Sequence, residues 1–217
     1  LQNSLPCASG IIRKVIKMKK KIYILTECSL LVALSTVLSF CKVYEAPLGG
    51  AVTLLSMLPV IYISFKHGIL WGLGSGFVYS VTQILFGMQT VAYVPTTLGV
   101  IGCIIFDYVL PFTLLGLGGI TIYFKPKEKS KVYLAVISGT LLAVTLRFAC
   151  HLVSGAVIWY EITKAGEWND YVFKYSKWVY SFIYNISYLG PDGALVLLAS
   201  PVMVRLMNIP FFAKRYE

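Results

Sequence analysis

Six long apolar stretches follow one another along the chain, separated by short polar joints, and that spacing restricts the fold more than any other feature of the sequence. A helix needs about 20 apolar residues to cross a bilayer core. Lipid offers no partner to a backbone N–H or C=O, so the stretches are expected to be helices. They cover residues 22–43, 52–65, 68–88, 99–124, 132–160 and 178–206. The second is short and holds Pro59, which predicts a half-crossing or a kinked helix. The fourth is expected to kink near Pro111. The fifth exceeds the bilayer thickness and has to tilt or protrude. The sixth is expected to be interrupted at Gly190-Pro191-Asp192-Gly193. The expected class is all-α, an integral membrane bundle of six transmembrane helices.

Composition agrees: 58% of residues are apolar, 13% are charged and the mean hydropathy is +0.77. The net charge of +10 would suggest nucleic acid in a soluble chain. Here the basic residues sit in the joints, where membrane topology and anionic lipid account for them, and no nucleic-acid-binding motif is present. Fourteen Lys or Arg fall on the side of both termini and four on the other, Lys42, Lys164, Lys174 and Lys177, which places both termini in the cytoplasm. Met18 followed by three lysines reads as a start, so residues 1–17 are expected to be an upstream segment and residues 18–217 a single membrane domain. Five cysteines without a CxxC pattern imply neither a disulfide framework nor a metal site.

Ionisable groups inside apolar helices are costly and point to function. The candidates are Glu27, Asp107, Arg147 and His151, with Asp192 in the expected break. His151, Gly155 and Trp159 recur every four residues and share one helix stripe. Two readings stand: a gap at Gly155 that admits a planar ligand between two rings, or close helix packing there with His151 bonded to a neighbour. Asp107, followed by Tyr108, pairs with Arg147 or with a cationic ligand, and Arg147 has Asp107 or Asp192 as its partner or serves as an anchor in the cytoplasmic half. The sixth stretch adds Tyr180, Tyr184, Asn185 and Tyr188, where Asn185 offers both a donor and an acceptor edge or an interhelical bond. Aromatic faces, a carboxylate, an imidazole and an amide together suit a flat aromatic cation. The 161–177 joint, with Trp168, is longer and more aromatic than a plain connection and is expected to cap a site on the outer face. On the first stretch Ser29, Ala33 and Val37 at spacing four make a groove for another helix.

With these residues in view, the chain resembles the thiamine-specific substrate-binding (S) components of energy-coupling factor (ECF) transporters. The resemblance runs from Met18 to the C-terminus through LTE in the first stretch, PLGGAVTLLSMLP at 47–59, KHGILWGLGSGFVYS at 66–80, DY at 107–108, H-x3-G-x3-W at 151–159, and YSFIYN followed by GPD within 180–192. It implies a six-helix protein in a prokaryotic plasma membrane that captures thiamine near the extracellular face. It also implies joining a transmembrane coupling protein and two ATPase subunits. ATP is used by those partners, and the chain itself is neither an enzyme nor a holder of a cofactor. The implied ligand residues are Asp107 (where members also use Glu), Tyr108, His151, Gly155, Trp159, Tyr180 and Asn185. Trp159 and His151 would stack on the vitamin's rings, Gly155 would give clearance, and Tyr180 and Asn185 would read the aminopyrimidine edge. The implied docking motif falls on Ser29, Ala33 and Val37. An S component for another vitamin or a thiamine precursor, and a stand-alone proton-coupled carrier using Asp107, Arg147 and His151, are the rival readings. A membrane enzyme lacks a nucleophile with a positioned base.

Overall fold

The computed structural model describes residues 6–46, 49–123, 126 and 128–207. Pro47 and Leu48 of the expected loop motif, and Lys125, Lys127, Lys214 and Arg215 of the charge pattern, lie outside the described residues, as do residues 1–5 of the expected upstream segment.

Among the described residues the chain forms six principal helices and one small hairpin. Helix α1 (Pro6–Phe40) runs without a break through Met18. It buries Cys28, Val32, Ser35 and Ser39, a spacing of four, three and four that keeps one face inward. Ser29, Ala33 and Val37 form a neighbouring stripe that is exposed. The residues after Phe40 were expected to prolong this helix. Instead Lys42–Glu45 (β1) turns back on Ala51–Thr53 (β2) as an antiparallel hairpin, with Lys42 opposite Thr53 and Tyr44 opposite Val52.

Helix α2 (Leu58–His67) has ten residues, about 15 Å at ~1.5 Å each, half a bilayer. Pro59 stands in its first turn, where no intrahelical N–H is required, so it starts the helix and does not kink it. Every residue from Pro59 to Phe65 is buried, because α2 is enclosed by the longer helices. Its last turn is held to α1 by Glu27, whose carboxylate meets both Lys66 Nζ and, at 3.0 Å, His67 Nε2. That pairing accounts for an acid inside an apolar run.

Helices α3 (Ile69–Val91), α4 (Thr97–Ile122), α5 (Lys129–Ala165) and α6 (Lys177–Met207) are, with α1, long and apolar enough to cross a membrane. Close backbone approaches lock them: a Cβ at Gly116 of α4 would strike the Gly72–Leu73 backbone of α3, and one at Gly139 of α5 would strike the Gly118 carbonyl of α4. Two helices carry a widened π-type turn, Ile104–Val109 in α4 and Gly155–Trp159 in α5. The first lies just ahead of Pro111, whose missing N–H cannot bond one turn back.

The expected interruption of the sixth helix is absent. Helix α6 continues through Gly190–Gly193 with Pro191 and Pro201 inside it. Proline removes one bond from the ladder, but packing on both sides holds the helix: Asp192 is fully buried and Gly193 abuts Val144 of α5.

Candidate functional site

A cavity of about 280 Å³ opens between the hairpin and helices α3 to α6. This is close to the lower bound of ~300 Å³ for small-molecule sites. Asp107, Tyr108, His151, Gly155, Trp159, Tyr180 and Asn185 all line it.

Asp107 lines the cavity from the widened turn of α4. One carboxylate oxygen accepts from Ser154 Oγ at 2.7 Å and from Trp159 Nε1 at 2.8 Å, and the other faces His151 Nδ1 at 3.2 Å. Asp107 therefore pairs with α5, though not through Arg147. An ionised carboxylate only accepts, so the proton of the His151 ring is placed on Nδ1. That leaves Nε2, which is buried and has no hydrogen-bond partner among the described residues. The His151 ring meets Tyr188 edge-on, with centroids 6.3 Å apart.

Arg147 instead faces Asp192, Nη1 to Oδ2 at 3.6 Å, and lies over the Phe112 ring at 4.7 Å. The other cavity-lining acid, Glu45, is bonded to Lys42 at 2.6 Å. Among the described residues, Asp107 is thus the carboxylate of the cavity wall with no Lys or Arg partner.

Gly155 and Asn185 also make contacts within the protein. The open side of Gly155 is filled by α6: a Cβ there would collide with Ser181 Oγ and approach Asn185 Nδ2. That close approach packs α5 against α6, while Gly155 also lines the cavity beside His151 and Trp159. Asn185 is largely committed as well. Its Nδ2 donates to the carbonyls of His151 at 3.1 Å and Ser181 at 2.9 Å, and its Oδ1 accepts from Tyr188 at 2.6 Å. It clamps α6 to the turn that carries His151. Tyr180 is buried, donates to Thr163 Oγ1 at 3.3 Å and stacks on Tyr184 with centroids 6.1 Å apart. Tyr108 donates to the Gly87 carbonyl at 3.1 Å, which fixes its ring against α3.

Ser154 and the hairpin were not foreseen, and Tyr184 and Tyr188 were noted on the sixth stretch without a ligand role. The tyrosines at 180, 184 and 188 share the four-residue spacing that identified the α5 stripe, so that signal was present. The hairpin gave none, since its strands merge with the apolar runs on either side. The loop expected to cap the site does not do so through Trp168, which packs edge-on against Tyr93 at 5.4 Å, away from the cavity lining. Among the described residues no group of His, Cys, Asp or Glu is arranged to hold a metal ion.

Residues 25–210 match a protein family described as "Thiamine transporter protein (Thia_YuaJ)". The thiamine transporter ThiT of Bacillus subtilis (strain 168) is 27% identical over 202 residues, covering 90% of this chain and 96% of that protein. A solved structure of ThiT from Listeria monocytogenes has the same fold, with a TM-score of 0.62 at 20% identity over 87% of this chain and 94% of that one.

Proposed function

The chain belongs to the thiamine transporter protein family, and from that premise we propose that the cavity around Asp107 captures thiamine for import. The protein is a multi-pass membrane protein whose task is transport, not catalysis. The observation that carries the site assignment is the isolation of Asp107. Its carboxylate sits in a ring-lined cavity where, among the described residues, the two lining cations pair elsewhere, Lys42 with Glu45 and Arg147 with Asp192. A flat cation balances Asp107, and thiamine is a two-ring cation. Desolvated cation–aromatic contacts are worth about 2 kcal/mol or more, and the Trp159, Tyr184 and Tyr188 rings line the same cavity. His151 Nε2, without a partner among the described residues, is left for a ligand donor. Asn185 contributes by holding His151 in place, and Gly155 by letting Asn185 approach.

The reading extends to partners. The chain acts as the S component beside a transmembrane coupling protein and two ATPase subunits that use the ATP, with both of its termini in the cytoplasm. The exposed stripe Ser29, Ala33 and Val37 supports a helix-docking face on α1.

Calorimetric titration of the purified chain with thiamine, riboflavin and biotin tests the ligand. Thiamine is expected to bind far more tightly than the other two. Micromolar or weaker thiamine binding beside tight binding of another vitamin overturns the assignment. Uptake into liposomes holding this chain alone, without any ATPase, would instead favour a proton-coupled carrier.

A further inference from the structure

Asp192 belongs to the wall behind the cavity, not to its lining. It is fully buried in the middle of α6, and it connects three elements. Its Oδ1 accepts from the backbone N–H of Thr53 at 2.9 Å and from the Thr53 hydroxyl at 3.0 Å. Its Oδ2 faces Arg147 of α5 at 3.6 Å. Thr53 is the last residue of β2, and its hydroxyl also meets Ser56 Oγ at 2.7 Å. Thr53, Ser56 and Arg147 all line the cavity. A second contact fastens the same hairpin to the same helix: Gly50 lies so close to the Tyr188 ring that a Cβ would collide with it. The hairpin is thereby hung from α6 at both ends of β2.

A buried carboxylate is expensive unless it is paired and hydrogen-bonded. Three groups converge on this one, two of them from a hairpin that has only seven strand residues and cannot hold its shape alone. We propose that Asp192 is a positioning residue for vitamin binding: with Arg147 orienting it, it pins Thr53 and so holds the β1–β2 hairpin as a wall of the cavity, slowing escape of the bound ligand. The proposal rests on the reading of the cavity as the thiamine site. It predicts that loosening this tie acts on dissociation. A hairpin that swings away more often opens a route out, while the remaining ring and carboxylate contacts that receive the vitamin are unchanged.

Two variants of the full-length chain test it. Thr53→Val keeps the side-chain outline and removes the hydroxyl, with its bonds to Asp192 and Ser56, while the backbone N–H bond to Asp192 stays. Asp192→Asn combined with Arg147→Gln removes both charges at once, so no unpaired ion is left buried. Dissociation of labelled thiamine is followed in a chase with unlabelled vitamin, association by stopped-flow fluorescence. Amide hydrogen exchange over residues 42–53 is compared with that over α2 in the ligand-free protein. Loss of one hydrogen bond to a charged group predicts a dissociation rate roughly tenfold or more higher in Thr53→Val. The double variant should exceed it, with association changed by less than about twofold. Exchange should rise at 42–53 and stay unchanged in α2. Unchanged dissociation and unchanged hairpin exchange overturn the proposal. So does a rise in exchange that is equal in α2, which would mark general loosening. Should the double variant not fold, Thr53→Val decides alone. Failure of the wild-type chain to bind thiamine would remove the ligand assignment, and the exchange comparison, which needs no ligand, would still decide whether Asp192 holds the hairpin.

Discussion

The indole nitrogen of Trp159 donates to the carboxylate of Asp107 at 2.8 Å, across the interface of two helices that each widen at that point. Widened turns re-aim side chains that regular 3.6-residue geometry would send elsewhere, and they concentrate at functional sites. Here the two turns face each other across one carboxylate. The same carboxylate takes Ser154 and His151, so the aromatic wall of the cavity is fastened to a single acid.

Asp107→Asn tests that arrangement. An amide has one acceptor oxygen and presents N–H groups on its other side, so at least one of the three donors loses its partner. The charge that attracts a cation is also removed. Hydrogen bonds to charged groups contribute about 1.5–3 kcal/mol, which predicts thiamine affinity lower by roughly tenfold to more than a hundredfold by calorimetry. Affinity within about twofold of wild type would mean that Asp107 does not organise the site.

Trp159 combines a ring face with a donor, and two variants separate them. Trp159→Ala removes both and should weaken binding by more than about tenfold, since a desolvated cation–π face contributes about 2 kcal/mol or more. Trp159→Phe keeps a face and loses only the bond to Asp107, so its loss should be smaller. Equal losses would assign the effect to the hydrogen bond alone. Thermal unfolding of both variants checks that each is folded.

Which parts of this architecture were legible in the sequence follows from what periodicity can encode. Apolar length identified the helices, and the four-residue spacing of His151, Gly155 and Trp159 identified one side of the cavity. Asp107 stood out because lipid excludes carboxylates. The widened turns left no trace, because they change backbone hydrogen bonding without changing residue type. The Ser154, Trp159 and His151 donors around Asp107 therefore went unforeseen, and of the two partners expected for it, Arg147 or a ligand, Arg147 turns to Asp192 instead. The hairpin was hidden because Val43 and Val52 continue the apolar runs beside them. Pro191 suggested a break in α6 that buried packing around Asp192 and Gly193 prevents. What Gly155 faces depends on α6, and a single helix's pattern cannot report its neighbour.

Gly155→Ala probes that neighbour. The added Cβ would collide with Ser181 Oγ and crowd Asn185 Nδ2, so α6 has to shift. Overpacking of this kind costs about 1–3 kcal/mol. The variant should show a lower unfolding temperature and weaker thiamine binding, because Asn185 also holds the His151 carbonyl. Gly74→Ala is the control: no atom lies within 4 Å of a Cβ there, and replacing a mid-helix glycine by alanine should stabilise by roughly 0.5–1 kcal/mol. Matching behaviour of the two variants would show that close packing at Gly155 is not what the site needs.

The α1 stripe separates capture from delivery. Ser29, Ala33 and Val37 are exposed, whereas the cavity draws on α1 only at its far end, through Ser39 and Phe40. Small residues at spacing four let a partner helix approach closely, and an indole at the middle position would hold it away. Ala33→Trp is therefore expected to leave thiamine affinity within about twofold of wild type by calorimetry. In cells or proteoliposomes carrying the coupling protein and ATPases, the same variant should abolish uptake and fail to co-purify with the coupling protein. Normal uptake by Ala33→Trp would move the docking face off this stripe. Lost binding would show instead that α1 supports the cavity more directly than its contacts indicate.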